Sequence, residues 1–255
     1  DQTFTLSVNA TVATSPFDGK SGNNMVTLTK GTLRLGSNIT VPQLNAAGNN
    51  YDVSTGQDVN AGLWIDGATV TLGGSALVVY GKFRITSGNF TVNNGQSAIV
   101  TRGPAEILIE GGTVNMYTFR VSSATLGTGT YTQTGGTVNI SGTSVSSGYP
   151  AFCWPYPQTT FIMTGGIINI SNPGSNAGAA NGGIMIGSSS YTVTGGTINI
   201  TIPSSAINFN INSTAPFYDV NIQQLGAGTG NVTIADQPNL TGNGVSDPVL
   251  AKPLV

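Results

Sequence analysis

Charge is what this chain has least of. Asp, Glu, Lys and Arg together make up 7% of its residues, where a soluble domain carries roughly 25%. Histidine is missing altogether, and residues 121 to 218 contain no Asp, Glu, Lys, Arg or His. That stretch offers no conventional acid–base pair, so such chemistry would have to sit toward the N-terminal end. The net charge is −2, with no basic run, which argues against nucleic acid as a partner. Cys153 is the only cysteine, which excludes an intrachain disulfide and a cysteine zinc site. With no histidine to activate it, Cys153 reads as a buried apolar thiol. No apolar run approaches the roughly 20 residues of a membrane-spanning helix. Low charge with 38% hydrophobic residues is also the opposite of a disordered composition. What remains is a folded chain with a neutral surface of Thr, Asn and Ser, a balance that points to a secreted or cell-surface location.

What the chain does have is glycine, 36 residues of it, and a repeat built around it. The run Thr134-Gly135-Gly136-Thr137-Val138-Asn139-Ile140 returns from Thr164 to Ile170 and from Thr194 to Ile200, with a looser copy from Glu110 to Met116. Aligning Gly31, Ala68, Gly88, Gly112, Gly136, Gly166 and Gly196 as anchors puts apolar residues five and three positions before most anchors. Apolar residues follow two and four positions after. Spacing by two marks two strands per repeat, each with one inward face. The first glycine of each pair, as in Gly111 and Gly135, is expected to make the sharp corner at positive φ. Third strands are expected at 77–79, 98–100, 119–121, 152–154 and 184–186.

Such repeats cannot bury a core singly and must stack. The predicted fold is therefore all-β: a right-handed parallel β-helix with about three strands per coil and coils of roughly 20–30 residues. Residues 1–24 read as an N-terminal strand or cap, 25–235 as β-helix repeats, and 236–255 as a continuation toward a further part of a longer chain. Surplus residues gather between the second and third strands, at 36–60, 141–150 and 171–182, where loops would project from one side. Asn115, Asn139, Asn169 and Asn199 share a column and are expected to stack as an amide ladder.

Candidate chemistry is sparse. Asp66 and Glu110 share a column two coils apart, about 9.6 Å at a strand spacing of ~4.8 Å, near the ~6.5–9.5 Å of inverting glycosidases. With Arg84 beside them they form the one catalytic candidate. The bland alternative is a pair of solvated corner residues in a column otherwise filled by Thr. Asp52 and Asp58, in an oxygen-rich loop around Gly56, are candidate calcium ligands, although the bidentate Glu of a helix–loop–helix calcium site is missing; otherwise the loop is a turn. No other cofactor is indicated. Tyr51, Tyr149, Trp154 and Tyr156 are candidate ligand-binding aromatics, set against the alternative that the 149–157 cluster anchors a loop.

The cadence Tyr-Thr-Gln-Thr-Gly-Gly-Thr-Val-Asn-Ile, with Phe217-Tyr218-Asp219-Val220-Asn221-Ile222 after it, resembles long secreted β-helical surface proteins of the Bacteroidetes, adhesin-like cargo of the type IX secretion system. The resemblance covers roughly residues 25 to 235 and rests on solenoid-shaping residues. It implies a cleaved signal peptide and a C-terminal sorting domain on the parent protein, and it carries over no catalytic motif. The expected function is that of a non-catalytic, adhesin-like rod whose partners are an extracellular or cell-surface glycan or protein, with the type IX machinery as an export partner. A polysaccharide lyase or hydrolase and a structural spacer or envelope component are the alternatives.

Overall fold

In the computed structural model every described element is a β-strand, and every strand pairing is parallel. The structure describes residues 3–6, 10–11, 30–41, 44, 50–53, 60–74, 76–92, 98–121, 128–142, 150–172, 183–202, 209–225 and 232–234. The strands form three ladders. Strands on the first two ladders join into one 13-stranded sheet, because strands such as Lys82–Val92 and Thr160–Ile170 run through the corner between them. The third ladder is an eight-stranded sheet running from Asn50–Val53 to Val232–Ile234. The chain is a parallel β-solenoid with the expected third strands in place.

The inward columns follow the period of two. Leu33, Leu63, Phe83, Ile107, Tyr131 and Phe161 stand in one register on the first ladder. Phe90, Val114, Val138, Ile168 and Ile198 do the same on the second. All are buried and belong to a single apolar core. Stacking like on like suits rings: Tyr131 lies parallel to Phe161 at 5.4 Å, and Phe119 stacks on Phe152 at 5.2 Å, offset arrangements that aromatic quadrupoles favour.

At the corners the two glycines divide the work differently from expectation. The second glycine carries the positive φ, 67° at Gly136 and 82° at Gly166. The first, Gly135, is required by space, because a β-carbon there would run into the Glu110 carbonyl of the preceding coil. Close approach, not handedness, fixes that position. The first repeat also sits elsewhere than the anchor alignment put it. Residues 31–36 belong to the first ladder and Ile39–Val41 to the second, so the corner is at Ser37-Asn38 and Gly31 begins a strand. Asn38 has φ 65°, a conformation that Asn tolerates better than most side chains. Val26 and Leu28, assigned to that repeat, lie outside the described residues. Ahead of it, Thr3–Leu6 and Ala10–Thr11 are already rungs of the first and second ladders.

The amide ladder is present and longer than expected. Each Nδ2 donates to the Oδ1 one coil earlier: Asn115 to Asn89 at 2.9 Å, Asn139 to Asn115, Asn169 to Asn139 and Asn199 to Asn169 at 2.8 Å, and Asn221 to Asn199 at 2.9 Å. Every amide therefore points the same way along the solenoid. Replacing Asn139 by Ala removes one donor and one acceptor from a part-buried chain of bonds and should cost about 1–3 kcal/mol. Asn139→Asp should cost more, because it sets acceptor against acceptor at Asn115. Urea midpoints of the two variants against the parent chain check both the loss and its order.

Candidate functional site

Charged side chains are few, so where they sit is informative. On the outer face of the first ladder the register places Arg34, Trp64, Arg84 and Leu108 in one row. The Arg34 and Arg84 guanidiniums cover the two faces of the Trp64 ring, at 4.5 and 4.4 Å from its centroid. Parallel rungs about 4.8 Å apart produce this spacing without further design, and cation–π attraction rewards it. Asp66 accepts from Arg34 Nε at 2.8 Å and also pairs with its Nη2, and Thr86 Oγ1 donates to Asp66 Oδ1 at 2.6 Å. Arg84 Nε donates to Glu110 Oε2 at 2.5 Å, and Trp64 Nε1 donates to Thr86 Oγ1 at 2.9 Å.

The structure thus brings Asp66, Arg84 and Glu110 onto one face, and each carboxylate is held by an arginine of an earlier coil. The Thr86 hydroxyl, seconded by Arg34, holds the Asp66 carboxyl below its ordinary value of 3.8. An acid catalyst of glycoside cleavage needs the opposite shift. This arrangement can clamp four coils together, from Arg34 to Glu110, and it leaves Asp66 poorly fitted to deliver a proton. Arg34 and Trp64 are members of the cluster that sequence reasoning missed, whereas Thr86 is the Thr that the column places between the two carboxylates. Correct placement of the first repeat would have put Arg34, Trp64 and Arg84 in one column.

The aromatic expectations divide. Tyr51 and Trp154 are inward residues of the third ladder with 0% exposure, so neither presents a face to a ligand. Trp154 stacks on Phe119 at 5.5 Å and donates its Nε1 proton to the Thr160 carbonyl at 3.2 Å. Phe152-Cys153-Trp154 pairs as a strand with the rungs on both sides, which carries Trp154 into the core. Tyr156 is partly buried against that core, and its carbonyl caps a turn by accepting from Thr159. Tyr149 lies outside the described residues, as does Asp58. Asp52 is on the outward side of its strand, paired in register with Val78. Burial pushes its carboxyl upward, against the pull of Arg102, which does not favour the ionised form a hard cation needs. Among the described residues no group of three or more Asp, Glu, Cys or His converges.

Among the described residues, open grooves on the outer surface include one beside the Trp64 cluster and one along the amide ladder. The smaller, about 240 Å³, lies at Gly62, between Thr32 and Lys82 and beside Trp64. Its rim carries the exposed Lys82–Glu106 pair at 2.9 Å. The larger, about 360 Å³, runs along the amide ladder past Asn115, Asn139 and Asn169, with Tyr117, Ser141 and Ser171 beside them, and no charged residue lines it. Asn139 and Asn169 each spend one N–H and one lone pair on their neighbours and retain a second of each, whereas Asn115 donates to both Asn89 and Thr91 and retains a lone pair only. The result is a row of neutral donors and acceptors at the coil spacing. Nothing among the models of known families, the characterised proteins or the solved structures matches this chain. Among the described residues no helix is long and apolar enough to cross a membrane.

Two predictions come from this geometry. A carboxyl held low in the folded state contributes stability above its ordinary value, and that contribution is lost as pH falls through the folded value. The parent chain should therefore lose stability as pH drops below 3.8, and Asp66→Asn should flatten that part of the curve while lowering stability at pH 7. Melting temperatures over an acid series separate the two. Cys153 is buried, and burial pushes its thiol up to about 12. It should resist alkylation in the native protein and react stoichiometrically after denaturation, as mass spectrometry would show.

Proposed function

We propose that the chain is a non-catalytic, adhesin-like scaffold of the cell surface or extracellular space, and that its contact surface for an uncharged glycan is the amide-lined groove. The observation that carries this reading is the lining of that groove, where Asn amides, two serine hydroxyls and Tyr117 stand in a row without a charged group. Sugars are bound by planar amides, hydroxyls and an aromatic side, and a charged lining would select charged ligands instead. A stack of like amides also repeats the same hydrogen-bonding pattern at each coil, which suits a polymer of repeating units lying along the axis.

The Bacteroidetes surface-protein cadence supports the extracellular placement, with type IX export as the route. The enzymatic alternative is weakened by the fixed ion pairs of Asp66 and Glu110 and by the lowered Asp66 carboxyl. A pure spacer would need no row of accessible polar groups.

The test is binding of the purified chain to immobilised neutral polysaccharides, with charged polysaccharides as comparison. Tyr117→Ala combined with Ser141→Ala should weaken binding at least tenfold while leaving the circular dichroism spectrum and melting temperature near those of the parent. Asp66→Asn with Glu110→Gln should leave binding intact and abolish nothing. Product release from any polysaccharide that disappears in the latter variant would instead establish the enzyme.

A further inference from the structure

The three ladders do not end together. On the second, Asp219–Gln224 pairs with residues 197–202, and on the third, Val232–Ile234 pairs with Phe209–Ser213. On the first, residues 190–193 pair with residues 160–163 of the preceding coil, and no described strand follows them. The cause is visible in the chain path. In the preceding coil, residues 187–196 lead from the third ladder to the second and include a first-ladder strand. In the next coil, residues 214–218 make the same connection by the shortest route, burying Ala215 and Phe217 on the way. One first-ladder strand has been skipped.

Among the described residues the skipped strand leaves an edge with an apolar column showing through it. Tyr191 continues the inward column of Tyr131 and Phe161, which have 0% exposure, yet it is 46% exposed. Val193 continues the column of Met163 and is only partly buried. Tyr218, Ile222 and Leu225 border the same end at 37%, 40% and 47%. Among the described residues Ile167 is the one other large apolar side chain exposed to this degree. An unpaired edge with its hydrogen-bonding groups open is a template for another strand, and an exposed apolar cluster marks an interaction site.

We infer that this gap is a strand-acceptor site, filled by one extended segment of a partner polypeptide running parallel to residues 190–193. The occupant is a single strand, because Asp219–Gln224 already holds the next rung of the second ladder and a whole coil would collide with it. Its chemistry is set by the columns it must continue. It is apolar, with an aromatic favoured, over Tyr191 and Val193. Over Ser190 and Thr192, whose neighbours in register are Thr160 and Ile162, it is uncharged. Main-chain bonds supply affinity and the two alternate side chains supply selectivity, as in other strand additions. This inference stands on the ladder ends and is independent of the glycan reading.

A labelled peptide with the sequence of residues 160–164, flanked by lysines for solubility, is the probe, titrated into the full chain by fluorescence anisotropy. Saturable binding is expected, weakened at least tenfold when serine replaces the peptide's Phe and Met. Tyr191→Asp in the protein should weaken it similarly, with the melting temperature retained. Hydrogen exchange at residues 190–193 should slow when the peptide is added. If Tyr191→Asp loses its fold, that slowing in the parent chain decides the matter alone. A peptide-competed dimer of the chain would support the site and identify a second copy as its occupant. No saturable binding, or binding without protection at residues 190–193, would overturn the inference.

Discussion

In-register parallel stacking sets every residue beside its own equivalent in the next coil, about 4.8 Å away. The interior satisfies this constraint easily, since apolar side chains tolerate copies of themselves and rings gain from it. The exterior satisfies it only with groups that can bond to their own kind. Asparagine does so by donating and accepting along one line, as the Asn115 to Asn221 ladder shows. Charge cannot, because like charges at that distance repel. Where charged residues occur, the register interleaves them: Lys82 lies beside Glu106, and Trp64 separates Arg34 from Arg84. The low charge of the whole chain is thus a consequence of its topology.

The same constraint explains the tightness of the corners. A stack of corners brings the backbone of one coil against the backbone of the last. At Gly136 a β-carbon would come within 2.6 Å of the Gly111 carbonyl oxygen, and the residue also needs a positive φ. Of the two adjacent glycines the first meets a demand of space, and the second meets demands of both space and conformation. Local geometry and long-range stacking therefore agree on the same dipeptide, the kind of agreement across levels that makes a sequence specify one fold.

This agreement is why so much of the fold is legible in the sequence and so little of the site. The inward columns, the amide ladder and the third strands each repeat several times, so an error at one repeat does not hide the pattern. The first repeat has no Thr-Gly-Gly, and Asn38 takes the glycine's role there. Its misplacement concealed that Arg34 shares a column with Trp64 and Arg84. Trp154 was misleading for a different reason. Flanking prolines and tyrosines make residues 149–157 look like a surface loop, while the three-residue strand at 152–154 is too short to show its alternation. Tyr51 is similar: a short strand beside a polar loop, whose inward direction is fixed only by pairing with Leu77. The skipped strand after residue 213 is an absence, and absences carry no periodic signal.

A surface that excludes charge is not thereby inert. Stacking removes the means of selecting ions and leaves an ordered set of neutral dipoles, each held by two neighbours and so poor in conformational freedom. Holding polar groups in place before a ligand arrives reduces the ordering cost of binding. The gain recurs at every coil that a long ligand crosses. The ion-paired cluster at Trp64 obeys the opposite logic: its donors and acceptors are spent on one another across four coils, so it stiffens the rod and offers a ligand little. The amide row therefore has the greater claim to contact, because Asn139 and Asn169 keep hydrogen-bonding capacity that the ladder itself does not consume.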